Sequence, residues 1–201
     1  MSQRAAKKSA AKSCAKFGNI MSRLGKKPII VPSGVEVKIQ GQKVFVKGPK
    51  GELSREFRDE ISFNLKDSLI EISPRTDTRL SKKLWGTYVS LVKSMIKGTM
   101  EGFSKKLILE GIGFKAQLEG KDLTLSLGFS HQVKFLSPEG IGFQVEKNTI
   151  TVNGIDKEKV GETAARLRAL KKPDPYKGKG FRYDGEIIRR KAGKKAAGTT
   201  A

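Results

Sequence analysis

Ile61-Ser62-Phe63-Asn64-Leu65-Lys66-Asp67-Ser68-Leu69-Ile70-Glu71-Ile72 and Ile141-Gly142-Phe143-Gln144-Val145-Glu146-Lys147-Asn148-Thr149-Ile150-Thr151-Val152 carry one pattern twice. Each stretch alternates apolar and polar residues, turns at a polar pair, and returns to an apolar run. That is how a half-buried β-hairpin is written in sequence. At an offset of 80, Ile61 falls on Ile141, Phe63 on Phe143, Leu65 on Val145, Ile70 on Ile150 and Ile72 on Val152. Carried forward, the same offset sets Leu80 on Val160 and Leu84 on Ala164, and Gly41 matches Gly120 at 79. Seven paired apolar positions in one register point to an internal duplication.

Working outward, the same elements are expected on both sides. Val35 to Ile39, Lys43 to Lys47 and Glu52 to Phe57 read as strands, joined by turns at Gly41-Gln42 and Gly48-Pro49-Lys50-Gly51. Thr76 or Asp77 can cap a helix whose apolar face is Leu80, Leu84, Tyr88, Leu91 and Met95, with Gly98 at its end. In the second copy, Phe114 to Leu118, Leu123 to Leu127 and Gln132 to Leu136 read as strands. Asp156 can cap a helix with Val160, Ala164 and Leu167 on one face, stopped before Pro173. The expected fold is α+β: two tandem duplicated domains, each an antiparallel sheet with one helix on it. The expected division is a disordered basic extension over 1–20, domains over 21–100 and 101–185, and a basic tail over 186–201. At the same offset of 80, Tyr88 and Leu91 fall on Arg168 and Lys171. Core exchanged for cations suggests that the first domain is scaffold and the second meets a partner.

Charge says what kind of partner. The 201 residues hold 41 Lys and Arg against 20 Asp and Glu, a formal net charge of +21. An excess of this size favours a polyanion, nucleic acid before an anionic membrane. Residues 1–20 have five basic residues and no acid, and 171–201 have ten basic against three acidic. Cys14 is the single cysteine, so no internal disulfide can form. No apolar run approaches the roughly 20 residues of a membrane span, and no membrane partner is expected. Residues 1–17 are basic, Ser- and Ala-rich and free of acids, as a transit peptide would be, though a plain basic tail is the preferred reading.

The most specific stretch is Lys171-Lys172-Pro173-Asp174-Pro175-Tyr176-Lys177-Gly178-Lys179-Gly180-Phe181-Arg182-Tyr183. Its prolines and glycines favour an exposed, shaped loop. Lysine and arginine neutralise phosphates, glycine admits a close backbone, and an aromatic ring can stack on a base. The same residues also fit a solvated basic loop in which Tyr176 and Phe181 only pin the chain. The residues expected to touch RNA are Arg168, Lys171, Lys172, Tyr176, Lys177, Lys179 and Arg182, with Arg189, Arg190 and Lys191 in the tail.

Catalytic alternatives find little support. His131 is the sole histidine and is expected to be structural or a backbone contact, because one histidine without a cysteine cluster builds no zinc site. Gly48-Pro49-Lys50-Gly51 lacks the spacing of a phosphate loop, and Gly111-Ile112-Gly113-Phe114 lacks the third glycine of a dinucleotide fingerprint. The acids are scattered among cations, with no pair suited to acid–base work. No enzyme activity and no cofactor or metal are expected.

Three runs resemble those of the bacterial-type large ribosomal subunit protein six family. They are Met21-Ser22-Arg23-Leu24-Gly25-Lys26-Lys27-Pro28-Ile29, then Leu109 to Gln117 with Leu125 to His131, and Pro173-Asp174-Pro175-Tyr176-Lys177-Gly178-Lys179-Gly180. The resemblance runs from about Met21 to Lys191. Phe181 departs from it, since a smaller aliphatic residue is usual there, and a packing change is expected. Residues 1–20 have no counterpart. The resemblance implies two tandem domains and a structural place on large-subunit rRNA near the region where translational GTPases act. It implies a role in subunit assembly and translation, with the second domain making much of the RNA contact. Neighbouring large-subunit proteins are implied partners, and no homo-oligomer is expected. The implied location is the cytoplasmic ribosome, or an organellar one if residues 1–20 are a transit segment.

Overall fold

A computed structural model describes residues 24–25, 27–66 and 68–193. The basic extension expected over 1–20, the run Met21 to Arg23, Asp67 and the end of the basic tail lie outside the described residues. The chain forms two compact units, dividing between Glu101 and Gly102.

The first unit contains β1 (Ile29–Ile30), β2 (Glu36–Gln40), β3 (Lys43–Gly48), β4 (Gly51–Glu56), β5 (Ile61–Lys66), β6 (Leu69–Pro74) and α1 (Arg79–Met100). Its strands form two antiparallel sheets, ordered β2-β3-β4 and β1-β6-β5. Alternation does what the pattern demands: Val44 and Val46 of β3, and Ile70 and Ile72 of β6, are buried while their neighbours are not. Trp85 of α1 is fully buried and donates its indole N–H to the Ile72 carbonyl at 2.5 Å, so its polar atom is satisfied inside the core.

The second unit contains β7 (Phe103–Glu110), β8 (Lys115–Glu119), β9 (Asp122–Ser126), β10 (Val133–Phe135), β11 (Ile141–Glu146), β12 (Thr149–Gly154), α2 (Lys157–Leu170) and β13 (Gly180–Tyr183). Its antiparallel sheets are β8-β9-β10 and β11-β12-β7-β13. The topologies superimpose strand for strand: β2-β3-β4 corresponds to β8-β9-β10, and β1-β6-β5 to β7-β12-β11. The chain is therefore α+β and duplicated, with its strands shared between two sheets in each unit. β13 is the addition peculiar to the second unit.

The offset of 80 holds for the hairpins but fails in the helices. Leu80 is exposed, and α1 instead buries Ser81, Trp85, Tyr88, Val89, Val92 and Ile96. The buried residues of α2 are Val160, Thr163, Ala164 and Leu167. Trp85, Tyr88, Val89 and Val92 match that spacing at an offset of 75. Tyr88 is thus the counterpart of Thr163, and the exchange of Tyr88 for Arg168 does not exist. The cap of α1 is Thr78, whose hydroxyl accepts from the Ser81 N–H at 3.2 Å, in place of Thr76 or Asp77. Helix α1 also runs past Gly98 to Met100.

Candidate nucleic-acid interface

Helix α2 ends at Leu170, where Lys171 turns extended (φ −145°) two residues before Pro173, a residue that cannot continue a helix. The chain then makes a compact loop organised by Asp174. Its carboxylate accepts the backbone N–H groups of Tyr176 (3.1 Å) and Lys177 (3.3 Å). Its own N–H donates to the Lys179 carbonyl (2.9 Å), and its carbonyl accepts from Gly178 (2.8 Å). A short acidic side chain that captures amides two and three residues on is a turn-forming device. Gly178 and Gly180 take φ of +73° and +141°. A side chain at Gly180 would meet the Lys171 and Lys172 carbonyls at 2.8 and 2.7 Å, so only glycine fits there.

The loop is anchored at both ends. Beyond Gly180 the chain pairs with β7 as β13, Gly180 opposite Glu110 and Tyr183 opposite Leu107. Phe181 is fully buried among Leu107, Leu109, Ile150 and Leu167. Of the two readings left open for Phe181, its burial favours a ring that pins the chain to the core, and Gly180 to Tyr183 is a strand and not loop. The tail returns to the loop: the Lys191 N–H donates to the Pro175 carbonyl at 2.9 Å, and the Arg190 guanidinium lies beside Gly178.

Among the expected RNA contacts, Lys172, Tyr176, Lys177, Arg189, Arg190 and Lys191 are exposed, and Lys171 and Lys179 are half-buried. Loop and tail bring Tyr176, Lys177, Lys179, Arg190 and Lys191 together. Arg168 and Arg182 differ. Arg168 pairs with Glu186 at 2.6 Å and lies over the Tyr183 ring, 5.5 Å from its centroid. Arg182 pairs with Glu110. The Tyr183 N–H, donated at 3.0 Å, holds the Glu186 carboxyl below the usual carboxylate range against the opposing effect of burial, and Arg168 and Arg182 add to it. These two arginines are engaged in closing β13 onto the unit.

His131 is exposed and lies nearly parallel to Phe129, itself 44% exposed. Lys171 reaches over the same ring, with Nζ 4.6 Å from its centroid. Sequence reading passed over Phe129 and Ile112 because each stands in a Gly-rich turn with no periodicity to assign it a face. Among the described residues no group of His, Cys, Asp and Glu could hold a metal ion, and no helix is long and apolar enough to cross a membrane.

The geometry defines a duplicated α+β protein whose second unit carries a braced, lysine-rich loop. The family model described as Ribosomal protein L6 matches residues 31–102 and again 110–184, one stretch for each repeat. A protein of Nostoc punctiforme named Large ribosomal subunit protein uL6 is 50% identical over 179 residues, covering 89% of this chain and 98% of its own. Proteins of that name from Persephonella marina and Staphylococcus carnosus are each 50% identical over 175 residues, covering 87% of this chain and 98% of theirs. The chain belongs to the ribosomal protein L6 family.

Proposed function

We propose that the protein is a structural, non-catalytic constituent of the large ribosomal subunit that binds large-subunit rRNA through its second unit. Its relatives carry the name of a large-subunit protein over nearly their whole length. The observation that carries the RNA reading is the loop from Lys171 to Lys179, whose backbone is fixed by Asp174, Gly178 and Gly180 while Lys172 and Lys177 face solvent and Lys171 and Lys179 are half-buried. A preset array of cations binds a phosphate surface of matching contour with less ordering loss than a flexible tail. Lys171, Lys172, Tyr176, Lys177, Lys179, Arg189, Arg190 and Lys191 make the contact, while Arg168 and Arg182 chiefly hold β13 in place. Neighbouring large-subunit proteins are the protein's further partners. The position is near the region that translational GTPases visit, and the role is in subunit assembly and translation. The bacterial relatives favour a cytoplasmic ribosome.

The test is co-sedimentation of the full chain with large subunits through rising salt, against the Lys177→Glu/Lys179→Glu variant. Binding retained by the wild type and lost by the variant supports the proposal. Equal retention of both, or equal affinity of the wild type for heparin and for large-subunit rRNA, overturns it.

A further inference from the structure

Two glycine turns of the second unit expose side chains that its buried core does not use. One runs Gly111 to Phe114, between β7 and β8; the other runs Gly128 to His131, after β9. Phe114 joins them. A side chain at Gly111 would come within 2.4 Å of its ring, and one at Gly128 within 3.1 Å. Gly113 and Gly128 hold φ of +78° and +74°, a conformation open mainly to glycine. Both turns are thus fitted around one ring, and what they expose is set by that fit. They expose Ile112 (88%), Phe129 (44%) and His131. The Phe129 and His131 rings are offset-stacked, with planes 14° apart and centroids 6.0 Å apart. Lys171 spans the two turns, with Nζ 4.6 Å from the Phe129 centroid and 5.9 Å from that of Phe114.

We infer that Phe129, His131 and Lys171 form a stacking platform for an unpaired nucleotide of RNA. The inference rests on the RNA-binding reading above and specifies the kind of RNA surface involved. Two parallel rings that stay partly in solvent, with the Lys171 ammonium over the Phe129 ring, match the face of a base, which a continuous duplex conceals and a bulge or loop nucleotide presents. The ammonium of Lys171 supplies the charge for the accompanying phosphate, and Lys172 beside it keeps the surroundings cationic. Phosphate contacts from the loop at 171–179 give sequence-independent affinity. The platform adds discrimination between a folded RNA with an extruded base and a plain duplex.

The test uses the full chain with the substitutions Phe129→Ala, His131→Ala, Phe129→Tyr and Lys171→Ala. Filter binding is measured against a large-subunit rRNA transcript and against a fully paired RNA duplex over a range of salt. Unchanged urea midpoints establish that the variants fold. F129A and H131A are each expected to weaken transcript binding roughly tenfold, the size of one lost base–ring stack, with duplex binding unchanged. Their dependence of affinity on salt stays that of the wild type, because no phosphate contact is removed, whereas K171A becomes less salt-dependent. F129Y restores binding. The platform is overturned if the alanine variants bind the transcript like the wild type or lose duplex affinity equally. It is overturned too if they lose a protein neighbour in reconstituted subunits while keeping RNA affinity. A wild type without preference for the transcript overturns the function itself; a wild type with preference and no F129A effect overturns the platform alone.

Discussion

Replacing Lys177 and Lys179 together by alanine removes two cations from the braced loop while leaving its frame in place. The frame is made by the Asp174 carboxylate, backbone amides and two glycines, and neither lysine has a carboxylate partner among the described residues. Each phosphate contact contributes about 0.7–0.9 to the slope of log affinity against log salt. Losing two should make that slope shallower by about 1.4–1.8. Between 50 and 200 mM salt the wild type should therefore lose roughly 7- to 12-fold more affinity than the variant does. Surface substitutions of this kind stay within about 0.5 kcal/mol in stability, so the melting temperature should scarcely move. Fluorescence anisotropy of labelled large-subunit rRNA fragments across that salt range, with melts in parallel, measures both. An unchanged slope with a lowered melting temperature would refute the reasoning, because the lysines would then be holding the loop and not contacting phosphate.

Asp174→Ala should destabilise by about 1 kcal/mol, as the loss of a capping carboxylate does, and weaken RNA binding with every cation still present. Asp174→Asn should recover most of both, and urea unfolding with binding at fixed salt checks it. Phe181→Ala should cost about 3–5 kcal/mol, the range for emptying a large buried ring, read from a urea midpoint. Glu186→Gln tests the clasp on β13. Because the folded Glu186 carboxyl titrates below its ordinary value, its contribution is complete above the unfolded pKa of about 4.3 and disappears as pH falls through the lower folded value. The wild type should thus exceed the variant in stability at neutral pH, and the gap should close on acidification. A gap that persists at low pH would contradict it.

The hairpins were legible because alternation over six residues fixes which side is buried, and Ile61–Ile72 and Ile141–Val152 carry it unbroken. The duplication followed from them. The helix register was not legible, since α1 is 22 residues long and α2 only 14, and an offset carried through loops of different length picked Leu80 where Trp85 belongs. β7 was missed because Ser104 to Lys106 is polar on both faces and Leu107-Ile108-Leu109 is a run without alternation. β13 hid behind Gly178 and Gly180, which read as turn although Gly180 is what lets the strand pass the Lys171 and Lys172 carbonyls. The cations of the loop were readable from composition. Which of them are already paired was not, because Glu186 and Glu110 reach Arg168 and Arg182 only through tertiary folding. His131 was judged by catalytic and metal patterns, where a lone imidazole means little, while its partner is the neighbouring ring of Phe129.

Lysine acetylation of the full chain, free and bound to large-subunit rRNA, with each site quantified by mass spectrometry, locates the contact surface residue by residue. Lys172, Lys177, Lys179 and Lys191 should become protected, while the exposed Lys38, Lys47 and Lys83 of the first unit should react as they do in the free protein. Protection at Lys38, Lys47 and Lys83 with Lys177 and Lys179 still fully reactive would contradict the assignment of RNA binding to the second unit.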